Sequence, residues 1–261
     1  MADLFDMGLR AQRRDRAERS GVELFLFERV FADCLERLAL IEHRFEQALL
    51  IGCPDPEWPR RLREFADNVE SRDPGPLFAA RAGGRLIVED DWAPPANTYD
   101  LVVALGTLDT VNDLPLALRI IGGAMNDDAL LIGAMSGGET LPRLRSAMRA
   151  ADAAAGVASA HVHPRIEASA VAPLLSSAGL TMPVVDVDRI DVTYASLTGL
   201  VRDLRAMGST NILHARPGAG LSRRAYAAAA KDFQERADGG RTTETFGILH
   251  FAAWKSGGQH G

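Results

Sequence analysis

The sequence predicts an α/β protein built on a doubly wound, mostly parallel sheet. The strongest indication is the stretch 99–135, in which the continuous apolar run 101–105 is typical of a strand buried on both faces. Asn112 and Asp113 offer side-chain acceptors to the first amides of a helix. A second apolar run at 129–134 follows that helix. Strand, helix and strand in so few residues predict a right-handed crossover unit of a parallel sheet.

The other predicted strands extend this sheet. The first strand is predicted at 48–52, and two long strands near the end of the chain are predicted at 182–192 and 243–254. Short second and third strands are predicted at 77–81 and 85–89. The three residues between these two segments are too few for a crossover, so either the segments form a hairpin or one of them is not a sheet strand.

Helices are expected to cover the sheet and to form two further segments. The whole chain, 1–261, is interpreted as a single domain with an N-terminal helical segment at 1–47 and a helical insertion at 195–240 before the last strand. The other predicted helices are 59–69, 141–155, 169–178, 196–207 and 222–236.

The composition argues against several classes of protein. A net charge of -6 at pH 7 argues against a nucleic-acid partner. Cys34 and Cys53 are too few for a disulfide framework and too isolated for a metal cluster, which favours a reducing compartment. No apolar run reaches the roughly 18 residues of a membrane span. We therefore expect a cytoplasmic protein with no membrane span, no nucleic-acid partner and no metal site.

The loop after the first predicted strand is the first candidate for a ligand site. Ligands of doubly wound sheets usually bind there, because helix amides point at the crevice. Gly52 is the one glycine of this loop, where nucleotide-binding loops commonly have two or three. Pro54 and Pro56 lack amide hydrogens and fix φ, so this loop cannot be an ordinary glycine-rich cradle.

Charged residues offer further candidate sites. Asp109, at the mouth of the fourth strand, is either a base or substrate contact or a turn or capping residue. His214, together with Arg202 and Arg205 on the preceding predicted helix, is a candidate contact for an anionic or peptide partner. An early arginine cluster either belongs to a helix that covers the sheet or closes over a substrate or an acidic partner. The cluster contains Arg10, Arg13, Arg14, Arg16 and Arg19.

Several segments together resemble one known family. They are YDLVV at 99–103, VNDLP at 111–115, GAM at 133–135 and LRAMGSTN at 204–211. These segments resemble the class I S-adenosylmethionine-dependent methyltransferases. The most similar branch contains the mitochondrial complex I assembly factor that modifies an arginine, and its bacterial relatives. The malonyl-carrier-protein methyltransferase of biotin synthesis is similar at a greater distance.

The resemblance implies a Rossmann-like sheet of seven strands in the order 3-2-1-4-5-7-6, with the last strand antiparallel. It also implies S-adenosylmethionine as a cofactor at the carboxyl ends of strands 1 to 4. By position, Gly52 and Cys53 would lie in the donor-binding loop. Leu105 and Gly106 would pass beside the methionine moiety.

The acidic positions of the family are matched less closely. Asp90 and Asp91 would lie near the acidic position beside the adenine, or else form an acidic surface turn. In the family an acid ends the second strand and contacts both ribose hydroxyls, and here residues 79–81 stand near its place without an acid. The family loop after the first strand reads roughly D-x-G-x-G-x-G, whereas this chain has IGCPDP at 51–56.

Three functions follow from these observations. The main hypothesis is transfer of a methyl group from S-adenosylmethionine to a small molecule or a protein side chain, which needs alignment of the reactants more than any single catalytic side chain. The second is an arginine-modifying or assembly role with a respiratory-chain subunit as partner. The third is a non-catalytic protein that keeps the fold and has lost the donor site, which the altered loop favours.

Overall fold

The computed structural model of the protein describes residues 3–257 and places one seven-stranded sheet at the centre. The strands are Phe45–Ile51 (β1), Ala66–Asp73 (β2), Arg85–Leu86 (β3), Tyr99–Leu105 (β4), Met125–Ser136 (β5), Leu180–Tyr194 (β6) and Thr242–Lys255 (β7). Their order is β3-β2-β1-β4-β5-β7-β6, with β7 antiparallel to β5 and β6 and the other pairs parallel. The predicted fold class, strand order and reversed last strand are confirmed.

Helices pack on both faces of the sheet. They are Met7–Ser20 (α1), Phe25–Ala39 (α2), Trp58–Leu62 (α3), Pro76–Arg81 (α4), Leu114–Ala124 (α5), Pro142–Ala155 (α6), Ala168–Ser177 (α7), Leu197–Ala206 (α8) and Arg223–Gln234 (α9). Successive residues of a strand face opposite layers. Leu49 and Ile51 of β1 pack with α5 and α7. Leu50 packs on the other face, with α2 and α3.

The crossover unit β4–α5–β5 forms as the sequence predicts. Leu101 and Val103 face one layer and Val102 faces the other, so the whole run is buried. The side chain of Asp113 caps α5 by accepting a hydrogen bond from the Leu116 amide (2.8 Å). β5 begins at once after α5 and is therefore longer than the predicted strand.

The prediction of a second strand at 77–81 is wrong. These residues lie in α4, which begins at Pro76, where the missing amide of proline costs no hydrogen bond. The second strand is β2, which overlaps the helix predicted at 59–69. Its sequence, ADNVESRD, is polar because four of its eight residues are not buried and because the two-residue β3 covers little of its outer edge. β3 is also shorter than the third strand predicted at 85–89.

Two helical segments accompany the sheet. α1 and α2 precede β1, which begins at Phe45, inside the range 1–47 that the sequence predicts as helical. α8 and α9 lie between β6 and β7, within the predicted insertion at 195–240, and pack with α6. The two ends of the predicted 1–261 domain lie outside the described residues. Across residues 3–257, no helix is long and apolar enough to cross a membrane.

Candidate functional site

The candidate site is the crevice at the carboxyl ends of β1 and β4, where the winding of the sheet changes direction. Gly52 follows β1 with a φ of +83°, and a Cβ on it would overlap the carbonyl oxygen of Leu105. The loop after β1 therefore packs directly against the end of β4. Cys53 is buried in this loop. Burial raises the pKa of its thiol, with the charges of Asp73 and Asp55 adding to the effect, so Cys53 is an uncharged packing residue.

Several amides of this loop form hydrogen bonds within the protein. Pro54 and Pro56 have no amide hydrogen. The Glu57 amide donates to Asp55 Oδ1 (2.8 Å), and the Trp58 amide donates to the Asp55 carbonyl (3.2 Å). In a phosphate- or carboxylate-binding loop, such amides point at the ligand instead. The loop therefore does not form an amide cradle for an anionic group.

An acid does end the second strand, and the sequence interpretation that found none near 79–81 is wrong on this point. Asp73 is the last residue of β2 and is fully buried. Its Oδ1 accepts from Arg14 Nε (2.7 Å) and from the Gly75 amide (2.7 Å). Its Oδ2 accepts from Arg14 Nη2 and from the Cys53 amide (2.8 Å). With two donors on each oxygen, the carboxylate has no lone pair left for a ligand hydroxyl.

The acid that reaches the crevice after β3 is Glu89. It is fully buried, and its oxygens accept from Arg10 Nη1 (2.7 Å) and Nη2 (2.9 Å). Asp90 instead accepts from the Asn112 amide (2.9 Å) just before α5, and Asp91 is exposed. Sequence reasoning came within one residue of this acid but missed it.

Arg10 and Arg14 lie four residues apart on one face of α1 and enter the crevice together. Each is 5% exposed. Arg10 Nη2 also donates to the Thr107 carbonyl (2.7 Å), just beyond β4. Burial lowers the pKa of Arg10, but the charge and hydrogen bonds of Glu89 outweigh burial and raise the pKa above its usual value. The i, i+4 spacing of the two arginines is the one sequence signal for this arrangement.

The second helix covers the other half of the crevice. A Cβ on Gly106 would lie 2.7 Å from Cε1 of Phe27 on α2. A cavity of about 80 Å³ remains, lined by Phe27, Gly106, Ser136 and Asp109 among others. The Asp109 carboxylate forms an ion pair with Arg165 Nη1, and both side chains are 8% exposed. Asp109 is therefore held as an ion-pair partner rather than as a free base.

These residues do not fit S-adenosylmethionine. Pockets for ligands of that size hold roughly 300–1,000 Å³. The cavity of about 80 Å³ at the ends of β4 and β5 is smaller than that, and neither the loop after β1 nor the two buried carboxylates line it. The two carboxylates that could bind the hydroxyl and amino groups of a nucleoside, Asp73 and Glu89, are both paired with arginines of the same chain. A nucleoside could bind to these carboxylates only if the buried ion pairs were broken.

A second, larger groove of about 780 Å³ lies between α1, α6, α8 and α9. Arg205 lines it together with Arg13 and Arg165. Arg202 and His214 are exposed and are not among its lining residues. The structure therefore separates the predicted partner residues: Arg205 faces the groove, and the other two face solvent.

The histidines between α6 and α7 bind groups of the protein. His161 Nε2 contacts Asp152 Oδ1 (2.8 Å), and His163 Nε2 accepts from the Ile212 amide (3.0 Å). In the described part of the chain, no group of three His, Cys, Asp or Glu side chains could hold a metal ion.

Comparison with known proteins identifies the family. A family model described as a methyltransferase domain matches residues 23–184. The chain belongs to this methyltransferase family. The methyltransferase-like chain is also 30% identical, over 267 residues, to a Danio rerio protein named arginine-hydroxylase NDUFAF5, mitochondrial. The match covers 97% of this chain and 83% of that protein. The resemblance drawn from the sequence segments is confirmed.

More distant relatives agree with this assignment. The methyltransferase-like chain is 32% identical over 166 residues to malonyl-(acyl-carrier protein) O-methyltransferase of Halorhodospira halophila. This match covers 63% of this chain and 55% of that protein. The solved structure of the YcgJ protein of Bacillus subtilis matches with a TM-score of 0.58 and 9% identity, covering 85% of this chain and 97% of that chain. A likeness at such low identity shows the fold alone.

The prediction of a cytoplasmic protein is wrong by this comparison, because the arginine-hydroxylase relatives are mitochondrial proteins. The prediction rested on the two cysteines and on the lack of an apolar run long enough for a membrane span, and Cys34 and Cys53 are indeed free in the structure. Free cysteines indicate a reducing environment. They do not distinguish one reducing compartment from another.

We expect the Arg14–Asp73 pair to be strongly coupled. Arg14→Met should lower the free energy of unfolding by about 3 kcal/mol or more, because it leaves a buried carboxylate without a counter-charge. Arg14→Met combined with Asp73→Asn should cost less than the sum of the two single changes. Denaturant titration measures all three variants. Arg19→Met is the matched control, since Arg19 is exposed on the same helix and should cost well under about 1 kcal/mol. Additive effects at Arg14 and Asp73 would contradict the coupling.

We also expect His163 to make the stability depend on pH. Burial, with the charges of Arg165 and Arg145, lowers the pKa of His163 from 6.5 to about 3. The unfolded chain therefore binds the additional proton first. The contribution of His163 to the free energy of unfolding is complete above pH 6.5 and is lost as the pH falls from 6.5 towards 3.

Between pH 6.5 and 3, the free energy of unfolding should fall by about 1.4 kcal/mol for each pH unit because of His163. His163→Gln should remove that slope, which denaturant titrations at several pH values would measure. Parallel pH profiles of the wild type and the His163→Gln variant would contradict the assignment.

Proposed function

We propose that this methyltransferase-like protein works without S-adenosylmethionine, as a protein-binding factor whose partner is a subunit of the respiratory chain. The observation that carries the proposal is the double pairing of Arg10 with Glu89 and of Arg14 with Asp73. All four side chains are buried. The chain itself thus supplies the groups that bind the crevice carboxylates, and a donor molecule would have to displace them.

The comparisons support the choice of partner. The Danio rerio relative is named as an arginine hydroxylase, so its name describes an action on arginine. The match covers nearly the whole of this chain, including α1 and the helices α8 and α9. The branch that the sequence resembles includes an assembly factor of respiratory complex I. Binding to a partner needs no methyl donor, and it is the activity that we assign to this chain.

Methyl transfer from S-adenosylmethionine to a small molecule or a protein side chain is the second candidate. Family membership supports it, and so does the small cavity at the ends of β4 and β5, which Ser136 and Thr140 line with hydroxyl groups. In this alternative, α1 would have to leave the crevice before the donor binds. Moving α1 would expose two carboxylates and two guanidinium groups at once.

Calorimetric titration separates the two candidates. With S-adenosylmethionine or its demethylated product, we expect no binding heat at millimolar ligand, because both carboxylates are already paired. The combined variant Cys53→Gly, Pro54→Arg and Asp55→Gly restores glycines to the loop and leaves the arginines in place. We expect this control to remain silent as well. Micromolar binding by the wild type would overturn the proposal and favour methyl transfer.

Deletion of the gene tests the partner. We expect less assembled respiratory complex I on native gels, because an assembly partner would be missing. The wild-type chain and the loop variant should both restore the amount of assembled complex I. In this proposal, assembly does not depend on binding of a methyl donor. Unchanged amounts of the complex after deletion would contradict a respiratory-chain partner.

A further inference from the structure

The groove of about 780 Å³ between α1, α6, α8 and α9 combines positive charge with apolar walls. Four arginines line it, and no aspartate or glutamate is among its lining residues: Arg13, Arg165, Arg205 and Arg216. The apolar walls include Leu144 and Met148 of α6 and Val201 and Leu204 of α8. A groove without carboxylates is unexpected in a chain of net charge -6.

Two of the four arginines of the groove have a counter-charge among the described residues and two do not. Arg165 pairs with Asp109, and Arg216 pairs with Asp6 (3.2 Å). Within the described residues, Arg13 and Arg205 form no ion pair. Arg13 is half-buried, and burial lowers the pKa of its guanidinium together with the like charges of Arg16, Arg216 and Arg205. Two of the four arginine charges of the groove, those of Arg13 and Arg205, are therefore left without a neutralising carboxylate in residues 3–257.

Three buried polar atoms of the groove residues also have no hydrogen-bond partner. They are Arg13 Nε, Arg165 Nε and Thr210 Oγ1. The Arg165 side chain is 8% exposed, so its Nε has little access to water. Buried donors in native proteins are nearly always paired, and an unpaired one is costly. Three such atoms lie among the groove residues, and the described part of the chain supplies no partner for them.

We infer that this groove binds an acidic, partly apolar peptide segment of a partner protein. Carboxylates of such a segment would accept from Arg13 and Arg205, and its apolar side chains would cover the walls on α6 and α8. A free phosphate would leave those walls uncovered. Besides the imidazole rings of His161 and His163, Tyr226 is the one aromatic residue of the lining, which gives bases few surfaces for stacking. The inference rests on the proposed protein-binding function and names the surface that would perform it.

Fluorescence anisotropy with defined peptides tests the inference. The probe is a short labelled peptide that alternates glutamate and leucine, and the matched peptide carries glutamine in place of glutamate. We expect saturable binding of the acidic peptide, at least about tenfold tighter than that of the neutral one, because the arginines would meet carboxylates only in the first. Raising the salt concentration should weaken the acidic peptide selectively.

A matched pair of variants on α8 locates the binding surface. Arg205→Glu places a carboxylate in the groove and should weaken binding of the acidic peptide by about tenfold or more. Arg202→Glu is the control, since this side chain is 82% exposed on the same helix and lies outside the groove. We expect it to leave the affinity unchanged. Thermal unfolding followed by circular dichroism establishes that both variants fold.

Four results would overturn the inference: no binding of the acidic peptide, equal loss in the two variants, complete competition by inorganic phosphate, or tighter binding of a single-stranded oligonucleotide. Each of them leaves the calorimetric test of S-adenosylmethionine untouched. Heat from the methyl donor combined with peptide binding would instead overturn the donor-independent function and keep the groove. The two failures are therefore distinguishable.

Discussion

The buried contacts between two arginines of α1 and two carboxylates of the sheet determine what the crevice can hold. Taking such ions out of water costs several kcal/mol for each ion, and their mutual attraction offsets that cost only with close, multiply bonded geometry. Asp73 and Glu89 provide it, since every oxygen accepts a guanidinium hydrogen. Moving either member of one ion pair would leave the other as an unpaired buried charge. Both ion pairs therefore hold α1 in the crevice.

Because α1 occupies the crevice, this chain keeps the fold of the methyltransferase family without depending on a ligand for it. Strand order, crossover helices and the reversed last strand depend on the cores of the two sheet faces, and none of these requires a ligand. At the crevice, side chains of the same chain lie against the two carboxylates and against Gly106. Arg10 and Arg14 fill the part beside β2 and β3, and Phe27 packs on Gly106 beside β4. The two carboxylates are therefore structural ion-pair partners in this chain.

Burial explains what the sequence could predict. β4 and β5 lie in the centre of the sheet, so both of their faces are apolar, and α5 between them buries one apolar stripe against the sheet. These patterns are unambiguous in the sequence. β2 is nearly an edge strand, and its polar sequence has no apolar run from which a strand could be predicted. Misplacing β2 also misplaced its carboxyl end, and with it Asp73. The Arg10–Glu89 contact joins residues 79 positions apart, which no local spacing reveals. The sequence could show that the binding loop was altered, but not what had filled the crevice.

The same helix connects the filled crevice to the arginine-lined groove. Arg10 and Arg14 point from α1 into the crevice, whereas Arg13 lies on another face and lines the groove. Gly208, just after α8, approaches the Arg14 backbone so closely that a Cβ would lie 3.2 Å from its Cα. The ion pairs that fix α1 against the sheet therefore also fix Arg13 beside Arg205 of α8.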